Sequence, residues 1–311
     1  MKLYYKKYEQ SFEINVKDAN SDFILETGNN YRLRYKYKNE DIFYATICKF
    51  YDGIWYINSS HNNFFSYIKS AEIEKRKELS KKESLYSWGK YFIKELENIN
   101  FFNDGIWHMD FYIPNQKQKK FLSLGNTHTI FDFEKTFDFK TCRYLDWYGE
   151  DNGMILNTKD EEEEDSARVK YFRKRVREDS LPPILLQFIP SLDSFIILDG
   201  HCRYKASLLE NVLPNLVVIG GVRKIIVKED ENRKKKVLEQ IKKNQESADS
   251  SKKMNVSKIN DLLINLYGNK EFYTSYFIGK AVYDFNKKWE DIIKNKLGKY
   301  EELPNILNRE E

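Results

Sequence analysis

Within five positions, Asp199-Gly200-His201-Cys202-Arg203 brings together an acid, a glycine, an imidazole, a thiol and a guanidinium. A strand that stops at glycine and feeds a helix aims free backbone N–H groups and the positive helix end at one point. That geometry suits a phosphate group, and Arg203 in the first turn would add a bidentate charged contact. Asp199 is placed to accept a ribose hydroxyl, to orient an attacking group or to hold a metal ion. His201 is placed to orient a group or relay a proton. Cys202 neighbours Arg203 at a helix start, where thiolates are stabilised. A small residue buried on the helix is the simpler reading of that cysteine.

The flanking pattern supplies the elements that would hold these side chains. Leu181-Pro182-Pro183 bounds an apolar run, Ile184 to Ile189, that reads as a buried strand. Pro190 to Asp193 makes a turn, and Ser194 to Leu198 reads as a second strand. The motif then opens a helix expected to reach Val212, and Leu216 to Ile219 forms a third strand after Pro214.

The string Asp199-Gly200-His201-Cys202-Arg203-Tyr204-Lys205-Ala206, in this strand–helix setting, resembles the ParB/sulfiredoxin-like superfamily. It is similar to the Asp-Gly-His-His-Arg-x-x-Ala motif of free serine kinases and their relatives, with Cys202 in place of the second histidine. Leu181 to Leu186 also looks like the family's Pro-Ile-x-Val strand. The resemblance covers about residues 165–228. It implies a nucleotide-phosphate site at Gly200, His201, Cys202 and Arg203 that takes ATP or CTP with Mg²⁺, as a switch or for phosphoryl transfer or nucleotide hydrolysis. Kinase members also need a carboxylate base, for which Glu178 and Asp179 are the nearest candidates, although both also read as a helix end and its exit turn. Sulfiredoxins carry Cys then His, whereas this chain has His201 then Cys202. Adjacent residues at a helix start point about 100° apart, so thiol repair chemistry is disfavoured. No helix-turn-helix reader of the partition-protein kind is recognisable after residue 230.

Elsewhere the chain is mostly scaffold. Tyr31 to Tyr37 alternates as a half-buried strand, and Ile42 to Phe50 leads through Asp52-Gly53 into Ile54 to Ile57, a hairpin signal. A Glu- and Lys-rich helix is expected from about Ser70 to Leu96. Phe50-Tyr51-Asp52-Gly53-Ile54-Trp55 is echoed by Phe102-Asn103-Asp104-Gly105-Ile106-Trp107, and two independent turns before core tryptophans explain this better than duplication. Asp160 to Asp165 is acidic and Arg168 to Arg177 basic, which fits one surface helix starting near Ser166, with Val169, Phe172 and Val176 as its apolar stripe. After Val227 a charged stretch with Val237, Leu238 and Ile241 suggests a surface helix, then a linker from Gln245 to Lys253. Helical spacing is expected again over Ile259 to Leu266 and from Tyr273 to Ile293. His61, His108 and His128 form no metal-ligand pattern.

Composition sets the limits. The 311 residues carry 52 Lys+Arg against 48 Asp+Glu, so the net charge of +4 makes no case for polyanion binding by the whole chain. Aromatic residues at 15% exclude wholesale disorder. The start has no apolar segment of signal-peptide type, no run is long enough to span a bilayer, and three scattered cysteines give no disulfide framework. The expectation is a cytoplasmic α+β protein in three parts. These are an aromatic-rich, mainly β domain (1–150), a ParB/sulfiredoxin-like α/β domain (151–228), and a charged linker with a helical C-terminal region (229–311). A nucleotide is the expected partner, with a protein partner through the N-terminal domain as a further possibility. A non-catalytic interaction protein of bacterial defence or mobile elements is the alternative. Direct DNA binding through Arg168 to Arg177 or Arg233 to Lys236 is a weaker one.

Overall fold

The computed structural model describes residues 1–60, 68–114, 137–138, 141–148, 153–227, 231–247 and 270–310. Expectations for His61, His128 and the Ile259 to Leu266 spacing lie outside the described residues. The strands of the first half are β1 (Lys2–Lys7), β2 (Ser11–Lys17), β3 (Phe23–Thr27), β4 (Arg32–Tyr37), β5 (Glu40–Ile47), β6 (Gly53–Asn58) and β7 (Gly105–Tyr112). Those that follow are β8 (Phe137–Asp138), β9 (Cys142–Asp146), β10 (Ile155–Leu156), β11 (Ile184–Ile189), β12 (Ser194–Asp199), β13 (Leu216–Val227), β14 (Lys270–Ser275) and β15 (Gly279–Ala281). The helices are α1 (Ser70–Lys77), α2 (Lys81–Asn98), α3 (Ala167–Arg177), α4 (His201–Leu209) and α5 (Glu231–Ser247). The last two, near the C-terminus, are α6 (Asn286–Leu297) and α7 (Leu303–Asn308). The fold is mixed α+β with two sheets.

Two compact units result, one from Met1–Arg223 with Ser275–Glu311 and one from Lys224–Thr274. The expected boundary near residue 150 does not divide the larger sheet, which runs β1-β2-β7-β13-β11-β12-β10-β8. β13 pairs antiparallel with β7 (Val217 opposite Phe111) and parallel with β11 (Leu185 opposite Val217). Strands from the two sides of that boundary therefore share one ladder. The smaller sheet runs β15-β3-β4-β5-β6-β9.

One core joins both sheets. Phe12, Ile14 and Met109 of the larger sheet and Leu33, Phe43 and Tyr56 of the smaller belong to it, with Trp88, Phe92 and Leu96 of α2 and Val169 and Phe172 of α3. Tyr35 donates its hydroxyl to Gln187 Oε1 across the sheets at 3.0 Å. The other face of the smaller sheet is covered too: Tyr44, Trp55 and Ile57 pack with Phe285, Trp289, Ile293 and Ile306. This double burial explains why β4 is not half-exposed as its alternation predicts. Arg32 is buried against the Trp289 ring (4.9 Å) and bonds Glu290 at 2.7 Å, while Arg34 holds Glu26 at 2.8 Å through Nε.

Three other expectations change. The helix expected over Ser70 to Leu96 is two helices, because Ser80 accepts from the Glu83 N–H and Glu83 returns a bond to the Ser80 N–H. This capping box starts α2 afresh. Asp52-Gly53 does lead into a hairpin strand, since β5 pairs antiparallel with β6. Asp104-Gly105 instead follows α2 and launches β7 between β2 and β13, so the echoed hexapeptide serves two unlike junctions. The C-terminal region is not purely helical: Tyr273 lies in β14, and β15 pairs parallel with β3 before α6 begins. In the second unit α5 runs to Ser247, into the stretch expected as a linker, with Val237 and Ile241 half-buried.

Candidate functional site

Gly200 sits at φ 118° and ψ 22°, in the left-handed region, between the last residue of β12 and the first of α4. A Cβ there would lie 2.8 Å from Arg203 Nη2, so glycine is required both for the turn and for the guanidinium packed against it. As N-cap, Gly200 offers no side-chain acceptor to the helix start. The first backbone bond of α4 is Tyr204 N to Gly200 O at 2.8 Å, leaving the N–H groups of His201, Cys202 and Arg203 ahead of it.

Arg203 is 2% exposed, lies 5.9 Å from the Phe172 ring centre, and donates from Nη2 to Asp199 Oδ2 at 2.7 Å. Its Nε has no acceptor among the described residues. The Asp199 side chain keeps 21% of its surface exposed, so the pair meets solvent on the carboxylate side. Both residues act electrostatically on the Tyr91 hydroxyl of α2, which burial first, then Glu95 and Asp199, push up to about 12.

His201 has a different place from the one its type suggested. It is buried, and its Nε2 accepts from the Thr158 N–H at 3.2 Å and lies 3.1 Å from Thr158 Oγ1. Thr158 in turn donates from Oγ1 to Ile197 O at 2.9 Å. Burial, then the charges of Lys159 and Arg203, push the imidazole down to about 3. Through Thr158 it ties the segment after β10 to the start of α4. The Cys202 thiol is also buried. Burial first, then Glu162, raise it to about 11, against the opposing pull of Arg168 and Lys159. A helix start does not make it a thiolate here, because desolvation wins.

Lys159 is the residue near the turn that sequence reasoning missed, and Arg168 was singled out only within the basic run of α3. Lys159 acts electrostatically on Asp199, His201 and Cys202, and burial lowers its own pKa while Cys202 and Asp199 partly restore it. It reaches the turn because two-residue β10 pairs parallel with β12. A strand that short carries no readable alternation. In the acidic run, which precedes α3, Glu161 and Glu164 (3.2 Å) both hold Lys205 of α4.

Glu178 is not brought to the turn. Arg168, early in α3, neighbours Cys202 at the start of α4, while Arg173 and Arg177 bind Glu210 at the end of α4 at 2.5 and 2.8 Å. The two helices thus run side by side in the same sense. Glu178 stands ten residues beyond Arg168, about 15 Å along the helix, where it pairs with Arg175 at 3.2 Å and Lys77 at 3.6 Å. Asp179 is paired with Lys81 at 3.3 Å. Arg173, Arg175 and Arg177 are engaged in these ion pairs.

His108 lies on β7, buried, 3.7 Å from Glu13 Oε2. Among the described residues no group of three or more His, Cys, Asp or Glu is arranged to hold a metal ion. No helix among them is long and apolar enough to cross a membrane. No family model, curated protein or solved structure matches the chain.

Proposed function

We propose that this protein binds a nucleotide through its phosphates at the Asp199–Arg203 turn, with ATP or CTP and Mg²⁺ as the ligands, and that residues 165–228 form a ParB/sulfiredoxin-like domain. The observation that carries the reading is the convergence of Lys159, Arg168 and Arg203 on the start of α4, whose N-cap glycine supplies no side-chain acceptor. Three cations beside helix-start N–H groups fit a phosphate. Arg203 Nε, buried without an acceptor among the described residues, is a donor that such a ligand would satisfy. Asp199, the half-open carboxylate, is suited to a ribose hydroxyl or to a Mg²⁺ ion carried in on the phosphates.

Within this reading the protein binds and does not turn over its nucleotide. His201 is neutral and committed to Thr158, and Glu178 stands at the far end of α3. The role is then that of a nucleotide-dependent interaction protein. Thermal-shift measurements with ATP, CTP and ADP, each with and without Mg²⁺, test it. A rise in melting temperature that Lys159→Ala and Arg168→Ala both reduce supports the site. No rise with any nucleotide rejects it, and steady product formation rejects the binding-only role.

A further inference from the structure

A charged cavity lies between the end of α1, the start of α2 and the Asp179–Leu181 segment that enters β11. We propose that it binds a single small oxyanion, of phosphate or carboxylate chemistry, on the side edge of Arg76. The Arg76 side chain is 7% exposed. Its guanidinium stacks on Trp88 at 4.3 Å and on Tyr91 at 5.3 Å, which fixes its plane. Nη1 is used by Glu72, donating to its backbone oxygen at 2.7 Å and its carboxylate at 2.5 Å. Nε is buried and has no acceptor among the described residues. The Nε–Nη2 edge is one of the two forks by which arginine grips a carboxylate or phosphate, and Glu72 engages the other nitrogen.

The surroundings match an anion. Lys77, Lys81 and the Ser84 hydroxyl line the same cavity, at the N-terminal end of an 18-residue helix. The Ser80–Glu83 capping box satisfies the Ser80 and Glu83 N–H groups and leaves those of Lys81 and Lys82 outside it. One carboxylate, Asp179, also faces the cavity. Its pair with Lys81 joins side chains 83% and 73% exposed, which water and salt screen strongly. The cavity measures about 60 Å³. That is several times the roughly 10–15 Å³ needed to admit one water.

The test follows the arginine Nε–Hε resonances of the full-length protein by ¹⁵N,¹H NMR during titration with inorganic phosphate, then sulfate, then acetate. Arg76 is assigned by the resonance missing in Arg76→Lys. The expected result is a saturable downfield shift of that resonance, with an apparent affinity several-fold weaker in the exposed variant Lys81→Glu and unchanged in Lys159→Ala. Saturation by phosphate and sulfate alone assigns phosphate chemistry, and by acetate as well assigns carboxylates. An Arg76 resonance unmoved by all three anions overturns the proposal, as does an equal shift in Lys81→Glu. If Arg76→Lys does not fold, calorimetric phosphate titration of the parent, Ser84→Ala and Lys81→Glu decides in the same way, with no difference among the three overturning it.

Discussion

Arg203 and Asp199 face each other across a single glycine turn, four residues apart, with Nη2 donating to Oδ2 at 2.7 Å. The arginine is 3% exposed at its side chain and the aspartate 21%. The buried partner thus depends on the open one for charge balance. Replacing Asp199 by Asn leaves a buried cation unpaired, which costs about 3–5 kcal/mol in buried pairs, with the lower end expected for a carboxylate partly open to water. Adding Arg203→Met to Asp199→Asn should recover much of the loss. Urea unfolding of the two singles and the double measures this, and additive losses would contradict it.

Gly200→Ala is expected to destabilise the fold by about 1–3 kcal/mol through left-handed strain alone, and further through the clash of its Cβ with the Arg203 guanidinium. Gly105 also has a positive φ, at 135°, but a Cβ there meets nothing within 4 Å. The loss at Gly200 should therefore exceed that of Gly105→Ala by denaturant midpoint. Equal losses would show that the packed guanidinium adds nothing.

The pH dependence of stability carries two opposing contributions. His201 falls from its ordinary 6.5 to about 3 in the folded protein. Between these values the unfolded chain holds the extra proton, so stability rises with pH through that window and is complete above 6.5. Asp110, buried on β7 with Oδ2 lacking a hydrogen-bond partner among the described residues, rises from 3.8 to about 7. There the folded chain holds the extra proton, so stability falls as pH climbs from 3.8 to 7. Each slope is roughly 1 kcal/mol per pH unit, and these two contributions cancel between about pH 4 and 6.5. Asp110→Asn should make stability climb with pH in this range, and His201→Gln should make it decline. Denaturant unfolding at several pH values checks both signs, and identical profiles for both variants would refute the balance.

All three cysteines are buried, and desolvation raises Cys202 to about 11 and Cys142 to about 12. Alkylation by iodoacetamide at neutral pH should be slow for each of them in the folded protein and fast in denaturant. Mass spectrometry locates the label, and rapid modification of Cys202 in native protein would restore a thiol-based reading of the motif.

Much of the site's frame is legible because its strands are long enough to show themselves. Ile184 to Ile189 is apolar but for Gln187, Phe195 to Leu198 is an unbroken apolar run, and Gly200 marks the junction to α4. Side-chain roles were less legible. A histidine beside a phosphate-type turn reads as a proton carrier until Thr158 is seen against it, and nothing local reveals Thr158, which arrives from 43 residues upstream. The ladder that links strands from both sides of residue 150 was hidden for a related reason. Hydrophobic pattern identifies β7 and β13 separately but does not state that they pair. β14 and β15 were hidden because Tyr273, Tyr276 and Phe277 sit at spacings that also suit a helix.

The parallel pairing of β15 with β3, Gly279 opposite Leu25, has a consequence for biosynthesis. A nascent chain emerging from the ribosome displays β3 with one flank unmatched until residues near 280 have cleared the exit tunnel. Through that interval the strand is an open template for stray pairing with other chains. Stop codons placed before Gly279 should therefore yield truncated products that coaggregate and recruit chaperones, while the full chain supplies both the sealing strand and the α6–α7 cover of the small sheet.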